Sequence, residues 1–147
     1  KKIVRGLDAI KKGKEDKLVL GNLEAKRDWG YAKEYVEVMW KMLQQDKPDD
    51  FVIATGECHS VREFLEQCAT YLGMPIEWKG AGINEQGINT KTGKPIIKIS
   101  ERYFRPTETD ILVGDPTKAK KLLGWKSEVK FEELVKIMVD AELENTK

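Results

Sequence analysis

The chain has 147 residues, 40% apolar and 35% charged, a size and mix that suit one water-soluble globular domain. Its 26 Lys and Arg against 25 Asp and Glu leave a net charge of +1, which argues against a nucleic-acid-coating protein or a polybasic membrane binder. The length also excludes a complete two-domain nucleotide-dependent oxidoreductase.

Ile3, Leu7 and Ile10 recur at helical spacing, with Gly13 as the stop. Lys17 to Gly21 reads as a short strand, and residues 22–30 as a polar loop holding Lys26 and Arg27. A helix is predicted over 31–45, with Ala32, Val36, Met39, Trp40 and Leu43 on one face. The run Phe51-Val52-Ile53-Ala54 predicts a strand covered on both faces. Ser60 and Glu63 have capping-box spacing ahead of a helix whose face carries Phe64, Leu65, Cys68 and Leu72, ended by Gly73 and Pro75. Ile76 to Trp78 is a strand, so strand, helix and strand predict a small parallel βαβ unit. Residues 80–95 hold four Gly, two Asn and two Thr without apolar period and read as a mobile loop or irregular hairpin. Ile96 to Ile99 is a further strand. Asp115-Pro116 starts a helix that stops at Gly124, and a last helix spans about 131–143.

Cys58, Cys68 and the single histidine, His59, match neither a disulfide scaffold nor a zinc pattern, so two reduced thiols in a cytoplasmic protein are expected, with no metal. No apolar run approaches the roughly 20 residues that span a bilayer. The basic N-terminus lacks a signal-peptide core, and opening on Lys1 reads as a stretch of a longer or processed chain. The sequence has no dinucleotide or triphosphate glycine fingerprint; Thr92-Gly93-Lys94 fails the phosphate-loop spacing. A Cys58–His59 dyad finds no support, because sequence neighbours rarely face each other correctly. All four tryptophans, Trp29, Trp40, Trp78 and Trp125, read as core. The Lys11-Lys12 and Lys120-Lys121 pairs read as solvated helix faces.

Two arginines remain, Arg27 in Lys26-Arg27-Asp28-Trp29-Gly30 and Arg105 in Phe104-Arg105-Pro106. A guanidinium is a planar fork of donors that matches phosphate oxygens, and two forks converging from separate loops suit a diphosphate. On residue types alone, ion pairs such as Arg27 with Asp28 or Glu24 serve equally well and are the simpler reading.

The blocks from Leu20 to Val36, Asp50 to Glu57, Ser60 to Phe64, Tyr103 to Glu108, Gly114 to Ala119 and Lys121 to Lys126 closely resemble, in order, the GDP-mannose 4,6-dehydratase family. That resemblance implies a small mixed α/β substrate-binding domain of an extended short-chain dehydrogenase/reductase, with residues 1–147 as the C-terminal sugar-nucleotide-binding portion and the Rossmann half absent. The intact enzyme it implies is an NADP-dependent lyase that converts GDP-mannose to GDP-4-keto-6-deoxymannose with loss of water. The glycine-rich loop and catalytic residues are then expected before Lys1, which leaves no catalytic residue here and an inactive isolated chain. By motif match Arg27 and Arg105 bind the GDP diphosphate. Asn22 and Glu108 make polar contacts to the nucleotide or nearby loops, and Lys2 stands where a basic residue approaches it. The resemblance further implies GDP-mannose as partner, a homo-oligomeric intact enzyme, and no nucleic-acid or membrane partner. It also implies that the 31–45 helix packs on the Rossmann part, leaving its apolar stripe uncovered in this chain alone. Two other readings stand beside it: a non-catalytic nucleotide-binding or interaction module, and a related UDP- or dTDP-sugar epimerase or dehydratase.

Overall fold

The computed structural model describes residues 1–103 and 111–145. In chain order the elements are α1 (Lys2–Lys11), β1 (Leu18–Leu20), β2 (Lys26–Arg27), α2 (Ala32–Leu43), β3 (His59–Ser60), α3 (Val61–Tyr71), β4 (Ile76–Lys79), β5 (Gln86–Asn89), β6 (Pro95–Ile99), β7 (Ile111–Leu112), α4 (Thr117–Leu123) and α5 (Phe131–Asn145). They form two small mixed sheets, ordered β1-β6-β5-β4 and β3-β2-β7. In the first, β1 runs parallel to β6 with Leu18 opposite Ile97, and the β4-β5 and β5-β6 pairs are antiparallel.

The main core lies between this sheet and α1, α3 and α5. Leu7, Leu65, Cys68, Ala69, Ile97 and Val139 are completely buried in it. Each large side chain so buried stabilises the fold by about 1.5–3 kcal/mol. The start of α3 is fixed as its sequence predicts: Ser60 Oγ accepts from the Glu63 amide at 3.1 Å, and Glu63 Oε2 accepts from the Ser60 amide at 2.8 Å. A second cluster joins Val38 of α2 to Ala119, Leu123 and Trp125, with Tyr35, Met42, Phe51 and Ile53 packed against it. Trp125 Nε1 donates to the Ala54 carbonyl at 3.0 Å, and Gly124 ends α4 in the left-handed conformation at φ 63°.

Three expectations change and one is narrowed. Phe51 to Ala54 pairs with no strand among the described residues, although Phe51 and Ile53 do pack inward. An apolar run specifies burial but not a neighbouring strand. The parallel βαβ unit expected around α3 therefore does not form; the parallel pairs are β1 with β6 and β2 with β7. Of the two readings of 80–95, the irregular hairpin describes it: β5 pairs antiparallel with β4 and β6, with a register shift at Gly87/Ile88. Its Gly87 lies where a Cβ would sit 2.9 Å from Ile97 Cβ, so the glycine permits that close pairing while hiding the strand from a periodicity reading. Finally, α2 presents Tyr35, Val38 and Met42 inward, while Val36, Met39, Trp40 and Leu43 lie outward at 56–82% exposure, so Trp40 is not core. Trp29, Trp78 and Trp125 do pack against the clusters. Among the described residues no helix is long and apolar enough to cross a membrane.

Candidate functional site

Arg27 sits on the central strand of the small sheet. Its β2 backbone lies between His59 of β3, antiparallel, and Leu112 of β7, parallel. Nη1 donates to the Lys26 carbonyl at 2.7 Å, and the residue is half-buried. The two acidic residues nearest to it in sequence, Asp28 and Glu24, have further partners of their own. Asp28 Oδ1 accepts from the Thr55 amide (2.9 Å) and hydroxyl (2.8 Å), and its Oδ2 accepts from the Gly56 amide (2.9 Å). Glu24 Oε1 accepts from Arg62 Nε at 2.7 Å, while Arg62 Nη2 reaches Glu85 and its guanidinium lies over the Trp78 ring.

The Asp28 bonds hold a turn in which Gly56 takes φ 81°, a conformation that favours glycine. That turn leads directly into β3. One carboxylate therefore ties the exit of β2 to the entrance of its neighbouring strand. Reading the sequence assigned Asp28 only a possible pairing with Arg27. Its actual partners lie 27 and 28 positions away, and no local pattern announces them.

Asn22 follows the end of β1, and Lys2 begins α1. Asn22 Oδ1 accepts from the Glu24 amide at 2.9 Å, shaping the loop into β2. Lys2 Nζ lies 4.0 Å from the centre of the Tyr103 ring. A Cβ on Gly21 would run into the Tyr103 carbonyl oxygen, so only glycine lets the chain pass so close at this point. Arg105 and Glu108 lie outside the described residues. The chain on either side of them is placed: Tyr103 stands beside Gly21 and Lys2, and Ile111 pairs with Lys26.

His59 stacks on Phe131 with ring centres 3.8 Å apart, and its Nδ1 lies 3.4 Å from Glu63 Oε2. Cys58 Sγ instead contacts the Leu112 carbonyl. The two neighbours thus face different partners and form no nucleophilic dyad. Nearby, the hydrogen bond from Lys130 holds the Glu57 carboxyl below the usual carboxylate range, and the same contact raises the Lys130 ammonium. Burial pushes the Cys68 thiol up to about 12, which leaves it inert as a nucleophile near neutrality. No group of three metal-ligating side chains exists among the described residues. The described elements also lack a strand, glycine turn and helix arranged to cradle a dinucleotide pyrophosphate.

A family model described as GDP-mannose 4,6 dehydratase matches residues 1–138. The chain is 54% identical to the GDP-mannose 4,6 dehydratase of Dictyostelium discoideum over 147 residues, covering 100% of this chain and 41% of that protein. It is 54% identical to the GDP-mannose 4,6 dehydratase of Homo sapiens over 144 residues (98% and 39%). For the GDP-mannose 4,6-dehydratase of Sinorhizobium fredii the identity is 52% over 143 residues (97% and 41%). The chain therefore spans well under half the length of the relatives it matches, and corresponds to their C-terminal part. Among solved structures, dTDP-glucose 4,6-dehydratase from Bacillus anthracis in complex with NAD superposes with a TM-score of 0.72 at 18% identity, covering 99% of this chain and 39% of that one. UDP-glucose 4-epimerase from Thermotoga maritima with UDP-glucose gives 0.70 at 21% identity (99% and 40%). Identities this low show a shared fold.

Proposed function

Because the chain belongs to the GDP-mannose 4,6-dehydratase family, we propose that it forms the part of such an enzyme that grips the sugar nucleotide. Arg27 and Arg105 bind the diphosphate of GDP-mannose, and Asn22, Glu108 and Lys2 make the surrounding polar contacts. The observation that carries this reading is the setting of Arg27. It is half-buried on the central strand β2, where its backbone lies beside Leu112, in the chain that leaves the Arg105 stretch. A fixed, always-charged planar donor suits a phosphate better than a mobile ammonium does.

The intact enzyme converts GDP-mannose to GDP-4-keto-6-deoxymannose with loss of water. Following the family resemblance, we assign NADP and the acid–base residues to the portion of the relatives' length outside this stretch. What these residues supply is binding and orientation. The reading also takes the intact protein as a cytoplasmic homo-oligomer, with the outward face of α2 packed on that other portion.

Calorimetric titration with GDP and GDP-mannose tests the proposal. GDP binding that weakens about tenfold or more in both Arg27→Ala and Arg105→Ala is expected. Equal affinity for UDP would favour a related sugar-nucleotide enzyme. Binding that survives both substitutions would refute the arginine assignment. Turnover of GDP-mannose by the 147-residue chain with added NADP would refute its being a binding portion alone.

A further inference from the structure

A separate cavity of about 680 Å³ opens at the other end of β1 from Asn22 and Arg27. Small-molecule sites have volumes of this order. Its floor is apolar: Ile10, Leu72, Met74 and Ile96 line it, the last three nearly fully buried. Lys11, Lys17, Lys91 and Lys94 stand around it against two carboxylates, Glu15 and Asp16. The ion-paired lysines of the described residues are Lys12, Lys79, Lys118, Lys126 and Lys130, so none of these four is among them. Lys91 Nζ lies 3.6 Å from where a Cβ on Gly73 would sit, which places one ammonium at the cavity wall.

Lys11 and Lys91 have a structural reason to be there, because they stand at the C-terminal ends of α1 and α3, where the helix dipole favours cations. Lys17 and Lys94 have none. The stronger sign is Asn89, which is only 5% exposed and lines the cavity. Its Oδ1 accepts from the Lys91 amide at 2.9 Å, which fixes the orientation of the side chain. Its Nδ2 then has no hydrogen-bond partner among the described residues. That nitrogen is reached by solvent, so a ligand oxygen in the cavity can take its hydrogen bond in place of water.

We propose that this cavity binds a phosphate monoester. The phosphate lies among Lys17, Lys91, Lys94 and the Asn89 amide, and the organic body rests on the apolar floor. Lysine suits this role because it binds phosphate as a point charge. The site is independent of the Arg27 reading and sits on different elements.

The test is a titration of the ¹⁵N-labelled chain with inorganic phosphate, glucose 6-phosphate and adenosine monophosphate. The Asn89 side-chain amide pair and the Lys17 and Gly73 backbone amides are followed by NMR. Saturable shifts at these groups with an ester, and weaker ones with inorganic phosphate, are expected. The joint Lys91→Glu and Lys94→Glu variant changes two exposed turn positions and should weaken ester binding about tenfold or more, with the rest of the spectrum unchanged. Asn89→Asp should abolish binding by turning a donor into an anion. Absence of shifts at millimolar ester would overturn the proposal, and so would equal affinity for inorganic phosphate and both esters. Shifts confined to Arg27 and its neighbours would likewise overturn it while leaving the nucleotide site standing.

Discussion

Replacing Asp28 tests whether one carboxylate holds the Arg27 strand in place. In the native chain it accepts three hydrogen bonds, two from Thr55 and one from Gly56, at 2.8–2.9 Å. Hydrogen bonds to a charged acceptor contribute about 1.5–3 kcal/mol each when dry, but this site is half-exposed and water replaces part of the loss. Asp28→Ala should therefore cost about 2–4 kcal/mol in all. Asp28→Asn keeps an oxygen for Thr55 but turns an NH₂ toward the Gly56 amide, so one bond fails and about 1–2 kcal/mol is lost. For a chain of this size each kcal/mol lowers Tm by roughly 2–4 °C. Urea denaturation measures both variants; the midpoint should fall with the slope unchanged, and the Asn variant should lie between parent and Ala. The effect should extend to the site, because the held turn leads into the strand that flanks Arg27. Asp28→Asn is expected to weaken GDP binding more than its fall in midpoint would explain. An Asp28→Ala protein with the parent's midpoint would refute the reasoning.

Thiol titration of the native protein should label Cys58 quickly and Cys68 only on unfolding, since Cys68 is fully buried and its thiol is held at about 12. The same raised value implies a stabilising contribution that is complete below the ordinary value of 9.0 and disappears as pH rises from there to about 12. Sedimentation of the isolated chain should show self-association through the outward face of α2, where Trp40 is 63% and Leu43 82% exposed. A Trp40→Glu, Leu43→Glu double variant should be monomeric, and unchanged association would refute that assignment. On the acid side, hydrogen bonds from Lys130 and Lys118 lower Glu57 and Asp49 respectively. Their stabilising effect is present above the ordinary carboxylate values and is lost as pH falls below about 4. Lys130→Met should flatten part of that acid limb in a pH series of urea midpoints.

What the sequence disclosed was mostly local. Ser60 and Glu63 announced the α3 cap because both partners lie within one turn, and Gly124 marked the end of α4 for the same reason. For Arg27, residue type alone favoured an ion pair, and its phosphate role is a proposal that rests on the family resemblance. Pairing was not legible. Phe51 to Ala54 carries the side chains of a buried strand, yet nothing in four residues names the strand that would lie beside it. The reverse holds for β5, whose Gln86-Gly87-Ile88-Asn89 looks like loop and pairs on both edges. Asp28 was missed as an organiser because its partners come from a turn far along the chain. Trp40 was misjudged as core by residue type, whereas the resemblance, which left the α2 stripe uncovered in this chain, agrees with its 63% exposure.

The packing of α5 against α1 and α3 sets an order on folding during synthesis. Val135 and Val139 complete the cluster that holds Val4, Leu7, Leu65 and Cys68, and Glu142 reaches back to Arg5. The ribosome therefore finishes α1 and α3 long before the helix that seals them exists. At 5–20 residues per second, the interval between Leu72 and Val139 is roughly 3–13 s. Throughout it the apolar faces of two helices are open to water and to chaperones. A slow codon run placed between α3 and α5 would lengthen that exposure and lower the soluble yield, although no amino acid had changed.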